Sequence, residues 1–201
     1  MNGKQVKKLA IVVVFGVLAI FIFSKVFVKD YSYQGSLIDP PLEAFDFSLM
    51  RSDGKKFQLS DHRENVVLMF FGYTNCPDVC PTTLGDFKRI IISLEEKAKN
   101  VTVVYITVDP NRDTPDVMEQ YATAFHPDFI GLSGSMEELQ PIWDAFYVFR
   151  AEIESESESG YLMEHSARAI VVDKFGNFRL TFPFGMSAEA ISEDISNLLN
   201  E

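Results

Sequence analysis

The chain is poor in cysteine, in histidine and in positive charge. Its 201 residues include two cysteines, three histidines and one tryptophan, and 18 basic residues stand against 29 acidic ones. Five of the lysines lie in residues 1–30, which leaves a formal charge of −15 on residues 31–201. A domain this acidic repels phosphate backbones, so nucleic acid is not an expected partner. No internal repeat is present, and 47% apolar side chains exclude a disordered, collagenous or coiled-coil protein.

The first thirty residues have the pattern of a membrane anchor. Three lysines precede an apolar segment over residues 9–28, which only Ser24 and Lys25 interrupt. Twenty helical residues at about 1.5 Å each span a bilayer core of roughly 30 Å. A cleaved secretory signal is the alternative, but no small-residue cleavage site follows the segment. We therefore expect a cytoplasmic N-terminus over residues 1–8, a single transmembrane helix over 9–28 and a body on the other side of the cell inner membrane.

The rest of the chain has the pattern of one α/β domain. A linker with Gly, Ser and a Pro-Pro pair is expected over residues 29–41, and the folded domain over 42–201. Strand and helix patterns alternate early, and a strand pair with a closing helix ends the domain. This order predicts a mixed central sheet flanked by helices. Strands are predicted over 45–49, 66–71, 101–108, 168–173 and 178–182, and helices from Pro81, Pro115 and Met136 and after the cap Ser187.

The two cysteines lie together in the segment FGYTNCPDVCPTTL, directly after the central strand. Open α/β sheets usually place their chemistry at this end of the strands. Pro77 and Pro81 disfavour helical backbone at the residues before them, so both Cys76 and Cys80 are predicted in a loop. Cys80 is then the cap of a helix that Pro81 opens, and a sulfur at the positive end of a helix favours the thiolate.

Several roles are open to this cysteine pair. A purely structural disulfide would close a five-residue loop, which in the chain-entropy model stabilises the folded state by about 2 kcal/mol. A structural zinc site normally has four Cys or His ligands, and this sequence has only two cysteines and three histidines from which to draw them. Two thiolates and one imidazole instead favour Cu(I). His165 precedes an apolar strand, where a loop can return to the cysteines, whereas His62 and His126 are predicted to be surface or capping residues.

Three segments together resemble the Sco/SenC proteins. They are the cysteine segment, VDPNRDTP at residues 108–115 and EHSARAIVVDKFG at residues 164–176. The resemblance covers roughly residues 35–199 and implies a thioredoxin-like fold outside a bacterial or mitochondrial inner membrane. It also implies one copper ion per chain, Cu(I) or Cu(II), with Cys76, Cys80 and His165 as ligands.

The same resemblance implies a function and partners. Family members assist the assembly of the binuclear copper centre of cytochrome c oxidase, so the copper-centre subunit is the expected partner, with other copper chaperones or thiol reductases as further ones. Asp78, Asp109 and Asp113 match the family and are expected to support the ligands or to dock a partner. The alternatives are a turn at Asp78 and a salt-bridged turn before the Pro115 helix.

Some features of the third segment depart from the family or stand apart from it. Glu164 stands where family members often have Asp, and the Glu- and Ser-rich segment 152–160 is predicted to be a solvated loop or a hairpin tip. Met163 is a soft thioether close to His165, but alternation along the chain predicts that it packs in the core.

The main competing function is a membrane-anchored thiol-disulfide oxidoreductase that cycles Cys76 and Cys80 between dithiol and disulfide. By family resemblance, thioredoxin-type reductases have two residues between the cysteines and a cis-proline before the facing strand. Here three residues intervene, and no proline lies between Ala167 and Asp173. A related peroxidase would need a threonine placed differently from Thr74. The sequence therefore predicts a membrane-anchored copper metallochaperone first and a thiol-disulfide oxidoreductase second.

Overall fold

The structure is a computed structural model that describes residues 31–155 and 160–201, together with Gln5 and Gly16. The cytoplasmic segment predicted over 1–8 and the anchor predicted over 9–28 otherwise lie outside the described residues. In the described part of the chain, no helix combines the length and apolarity that crossing a membrane requires. Residues 33–201 form one compact unit, which contains every strand and helix discussed below.

The strands of this unit are β1 (Ser36–Glu43), β2 (Ser48–Met50), β3 (Lys56–Gln58), β4 (Val66–Gly72), β5 (Val101–Thr107), β6 (Ile130–Leu132), β7 (Arg150–Glu154), β8 (Tyr161–His165), β9 (Arg168–Val172) and β10 (Asn177–Pro183). The α-helices are α1 (Val79–Leu94), α2 (Pro115–Phe125), α3 (Met136–Ala145) and α4 (Ala188–Asn200). Short 3-10 helices lie at Leu59–His62 and Glu95–Asn100.

A six-stranded mixed sheet forms the centre, in the order β1-β10-β9-β4-β5-β6. Strands β4, β5 and β6 are parallel, whereas β9, β10 and β1 pair antiparallel. All of β4 is buried because neighbouring side chains face opposite layers. Phe70 packs edge-on against Phe87 of α1, and Phe71 packs against Phe146 just beyond α3. The predicted α/β class with a mixed, helix-flanked sheet is confirmed.

The predicted linker over 29–41 ends earlier than its composition suggests. Residues 36–41 belong to β1, which pairs with β10 at the edge of the sheet. An edge strand needs hydrogen bonds on one side only and therefore tolerates prolines, and the register shifts between Leu37 and Leu42, around the Pro40-Pro41 pair. Because the side chains of β1 are mostly exposed, the strand has no apolar alternation that would have revealed it.

Helix α1 begins earlier than predicted, so the loop position of Cys80 was wrong. The helix starts at Val79 with Asp78 as its cap, and Cys80 lies in its first turn. The first N–H to reach back along the helix is that of Thr82, which donates to the Asp78 carbonyl at 3.2 Å. Pro81 precedes Thr82 and lies in the first turn, where N–H groups have no acceptor within the helix. The missing N–H of Pro81 therefore does not prevent the earlier start.

His165 lies at the end of a strand rather than in a loop. Strands β7 and β8 form a hairpin of their own, in which Arg150 pairs with His165 and Glu154 with Tyr161. Residues 152–154 of the Glu- and Ser-rich segment belong to β7, and residues 156–159, where a solvated loop or hairpin tip is predicted, lie outside the described residues. The strand predicted over 45–49 is also shorter, since only Ser48–Met50 pairs, with β3.

Candidate metal centre

The cysteines and His165 meet at the end of the central strand. Cys76 lies in the loop after β4, Cys80 in the first turn of α1, and His165 at the end of β8. Their sulfur and ring-nitrogen atoms all lie within 4.8 Å of one another. Cys80 is buried, whereas Cys76 and His165 are half-buried. Neither cysteine forms a disulfide. The fold thus brings together three side chains that are up to 89 positions apart in the sequence.

Hydrogen bonding fixes the orientation of the His165 ring. Its Nδ1 lies 3.1 Å from the Ser166 carbonyl oxygen. A carbonyl only accepts, so Nδ1 carries the proton of this bond and Nε2 keeps its lone pair. Nε2 lies 3.6 Å from the Cys80 sulfur. The edge-on rings of Phe70 and Tyr73, with centroids at 6.1 and 5.8 Å, hold the imidazole in this orientation.

The two sulfurs differ in their affinity for a proton. A hydrogen bond from the Cys80 thiol lowers the pKa of Cys76 to about 4, and backbone N–H donors add to this effect against the opposing cost of burial. The Cys80 amide also points at the Cys76 sulfur, at 3.4 Å. The shared hydrogen bond and burial raise the pKa of Cys80. At neutral pH the site therefore holds a half-buried thiolate at Cys76 and a buried thiol at Cys80.

Gly72 makes room for the Cys80 sulfur, a role that the sequence analysis missed. A Cβ atom at this position would lie 2.6 Å from the Cys80 sulfur and 2.7 Å from the Tyr105 hydroxyl oxygen. The Tyr105 hydroxyl donates to the Tyr73 carbonyl at 2.9 Å, so it is itself fixed. The available signal was a glycine that ends an otherwise bulky apolar strand, which often marks a close approach.

Asp113 holds the loop that contains Cys76 through hydrogen bonds. Its side chain is completely buried and accepts hydrogen bonds from the Thr74 hydroxyl at 2.6 Å and the Thr107 hydroxyl at 2.8 Å. The Thr74 amide donates to the same carboxylate at 3.1 Å. Burial raises the pKa of Asp113, although these donors oppose the shift. The carboxylate thus ties the turn before Cys76 to strand β5.

Asp109 is buried as well, and it contacts the hairpin that carries His165. It forms an ion pair with Arg112 and accepts a hydrogen bond from the Tyr161 hydroxyl at 2.8 Å. This is the salt-bridged turn that the sequence left open as an alternative. Because both Asp109 and Asp113 are buried, neither offers a surface to a partner. Asp78, by contrast, is exposed beside the cysteines at the cap of α1.

The other two histidines lie outside the cluster. His62 contacts the Thr102 hydroxyl at 3.2 Å and stacks on Phe57. His126 caps the C-terminal end of α2. The position of His126 agrees with the capping role predicted from the sequence, whereas His62 is half-buried rather than on the surface. Met163 is buried among core residues, so its packing role is confirmed too.

The donor set of the cluster fits a copper ion. Two sulfurs and one imidazole are soft ligands of the kind that Cu(I) prefers. In the described residues the cluster holds three donors, one fewer than a closed structural zinc site requires. The second nitrogen of His165 is already bonded to the backbone, as is usual for metal-binding histidines.

Comparison with known proteins identifies the family. The sequence profile of the SCO1/SenC family matches residues 37–200. The SCO2-like protein of Rickettsia prowazekii is 36% identical over 152 residues, which are 75% of this chain and 74% of that protein. The mitochondrial SCO2 homolog of Homo sapiens is 32% identical over 152 residues, 75% of this chain and 57% of that protein.

Solved structures agree with this match. Arabidopsis thaliana ScoI with copper bound superposes with a TM-score of 0.72 at 30% identity, covering 79% of this chain and 98% of that one. The apo Sco1 protein of Thermus thermophilus gives a TM-score of 0.70 at 36% identity, covering 85% and 96%. The mixed sheet and its helices have the thioredoxin-like fold of these structures. With the profile, the relatives and the fold in agreement, the chain belongs to the SCO1/SenC family.

Proposed function

We propose that this protein is a membrane-anchored copper metallochaperone that assists assembly of the binuclear copper centre of cytochrome c oxidase. The observation that carries the proposal is the convergence of Cys76, Cys80 and His165 within 4.8 Å. Copper was bound in the solved ScoI structures of Arabidopsis thaliana and Bradyrhizobium japonicum, which are 30% and 31% identical to this chain. Copper is the cargo of the protein, one ion per chain, and these three residues are its ligands.

The exposure of the three side chains indicates how cargo is exchanged. Cys76 and His165 are half-buried, so an acceptor protein reaches them first, whereas Cys80 is buried and must lose its proton when copper binds. A copper ion supplies soft Lewis acidity that favours this deprotonation. Asp78, exposed at the cap of α1 beside both sulfurs, is placed to contact the acceptor.

The apolar segment 9–28 supports anchoring in the cytoplasmic membrane, with the copper-binding domain on the extracytoplasmic side. There the copper-centre subunit of the oxidase is the proposed acceptor, and another copper chaperone or a thiol reductase would load or reset the site.

A second function, reduction of cysteines in a copper-accepting partner, is favoured by the unequal thiols. The Cys76 thiolate would attack a partner disulfide and form a mixed disulfide while one partner thiolate leaves. Cys80, after giving up its proton, would then attack the Cys76 sulfur and release the second partner thiolate. The partner gains two electrons and this protein is left with a Cys76–Cys80 disulfide, which an external dithiol must reduce.

Copper titration separates the two functions. The reduced full-length protein in detergent is titrated anaerobically with Cu(I) against a chromophoric chelator. We expect one tightly bound copper per chain, lost when Cys76 or Cys80 is replaced by Ser. His165→Ala should weaken copper binding strongly, to that of a site with two sulfur ligands, and leave reduction of a model disulfide largely intact. Unchanged copper affinity in His165→Ala, together with disulfide reduction at the rate of a thioredoxin, would favour the oxidoreductase instead.

A further inference from the structure

The hairpin that carries His165 is not part of the central sheet. Strands β7 and β8 pair only with each other among the described strands, whereas the cysteines lie at β4 and α1 in the main body of the domain. Only two residues separate His165 from β9 of the central sheet, but no backbone ladder between described strands joins the hairpin itself to that sheet. Beyond the covalent link to β9, side-chain contacts hold the hairpin in place, and two arginines supply prominent ones.

Arg112 holds the hairpin near its turn. Its guanidinium stacks on the Tyr161 ring, with the central carbon 3.6 Å from the ring centroid, and its Nη1 donates to the Tyr161 carbonyl at 2.9 Å. Asp109 completes the contact, because it binds Arg112 and accepts the Tyr161 hydroxyl proton. The Asp109 side chain is 1% exposed, so this arrangement is shielded from solvent at its base.

Arg150 holds the opposite end. It lies directly across from His165 in the β7–β8 register. Its Nε donates to the Val108 carbonyl at 2.8 Å, and its guanidinium carbon lies 4.5 Å from the centroid of the Trp143 ring. Val108 and Asp109 are adjacent, so a single stretch of backbone after β5 anchors both ends of the hairpin.

We propose that Arg112 and Arg150 are positioning residues that hold the His165 imidazole at the cysteine pair. Neither guanidinium is a ligand in the three-residue cluster: both act through the hairpin, and Arg112 also faces the Tyr73 ring, with its central carbon 5.8 Å from the centroid. Each makes a directed hydrogen bond and a planar aromatic stack at once, which the fixed plane of a guanidinium allows, whereas a lysine ammonium has no plane to stack on the ring. This inference rests on the proposed function insofar as His165 is a copper ligand.

The test combines arginine variants with removal of the histidine. Arg112→Gln and Arg150→Gln are prepared with and without His165→Ala, and the Cu(I) affinity of each full-length protein is measured by chelator competition. With His165 present, each arginine variant should lose about 10- to 100-fold in affinity, the range typical of residues that orient a metal ligand. In the His165→Ala background the same changes should have no effect. An equal loss in both backgrounds, or no loss with His165 present, overturns the proposal.

Two further variants sharpen the result. Arg51→Gln is the matched control, since Arg51 also forms an ion pair, at 3.0 Å, but with Glu119 of α2, which lies outside the hairpin. Its affinity should equal that of the parent protein. Arg112→Lys and Arg150→Lys keep the charge and should lose nearly as much affinity as the Gln variants. If the Lys variants bind copper normally, charge alone is sufficient and the positioning role is wrong.

A measurement without copper keeps this proposal separate from the function proposed above. Amide hydrogen exchange of the metal-free protein should accelerate in β7 and β8 of the Gln variants and stay unchanged in β4 and β5. If the parent protein fails to bind copper, the proposed function fails while this readout still tests the attachment. Acceleration throughout the domain would show a general structural role and overturn the positioning role.

Discussion

Replacement of Gly72 by alanine tests whether the Cys80 sulfur needs its present position. The new methyl carbon would lie 2.6 Å from this sulfur, whereas ordinary contacts begin near 3.4 Å. The backbone of Gly72 has little freedom to yield, because it ends a strand paired on β5 and its carbonyl accepts the Val108 N–H at 2.8 Å. The sulfur must therefore move by about 1 Å, which exceeds the roughly 0.2 Å tolerance of metal–ligand distances.

The expected magnitude follows from the crowding. Overpacking of a core side chain costs about 1–3 kcal/mol, and the same strain expressed at the copper site lowers affinity by about 5- to 150-fold. The assay is Cu(I) competition on Gly72→Ala, with the free energy of unfolding measured by urea denaturation. The Tyr105 hydroxyl, 2.7 Å from the new carbon, is crowded too, so stability should fall in the metal-free protein as well.

Gly85→Ala is the matched control for this variant. Gly85 lies inside α1, and a Cβ atom there meets nothing within 4 Å. Alanine at a helix interior should raise the free energy of unfolding by up to about 1 kcal/mol and leave copper affinity unchanged. If Gly72→Ala binds copper as tightly as Gly85→Ala does, the sulfur position inferred from the structure is not the one that copper uses.

Two other predictions address the support and the protonation of the cysteine loop. Asp113→Ala removes the buried acceptor of the Thr74 and Thr107 donors. We expect urea denaturation to show a fall of about 3 kcal/mol in the free energy of unfolding, and a smaller fall in Asp113→Asn. Equal stability of both variants and the parent would contradict this role. Iodoacetamide at pH 6 should modify Cys76 and spare Cys80 by mass spectrometry, because Cys76 stays a thiolate above about pH 4 and loses this form only as the pH falls through that value. Equal labelling of both cysteines would refute the asymmetry.

Strands of the sheet were predictable where their burial produces an apolar pattern in the sequence. The run over residues 66–71 is apolar on both faces because β4 packs between two layers, and the structure shows that burial directly. Strand β1 left no such mark, since its side chains are largely exposed and its stability comes from pairing with β10. A strand held by backbone hydrogen bonds to a distant segment has no local pattern from which it can be read.

The members of the metal cluster were predictable from chemistry, but their supports were not. The two cysteines were candidate metal ligands because they are soft donors directly after a central strand. His165 was chosen among the three histidines because it precedes a strand from which a loop can reach the cysteines. Arg150 has no such signal, because its partners Val108 and Trp143 come together only through the fold. The start of α1 was missed for a local reason. A residue before proline usually avoids helical backbone, but the first turn of a helix tolerates a proline because its N–H groups have no partner within the helix.

X-ray absorption spectroscopy of the copper-loaded protein tests the central claim most directly. We predict Cu(I) with two sulfur scatterers and one nitrogen scatterer in the parent protein, and loss of the nitrogen with both sulfurs retained in His165→Ala. An unchanged spectrum in His165→Ala would contradict this claim, because the imidazole would then not share the ion with Cys76 and Cys80.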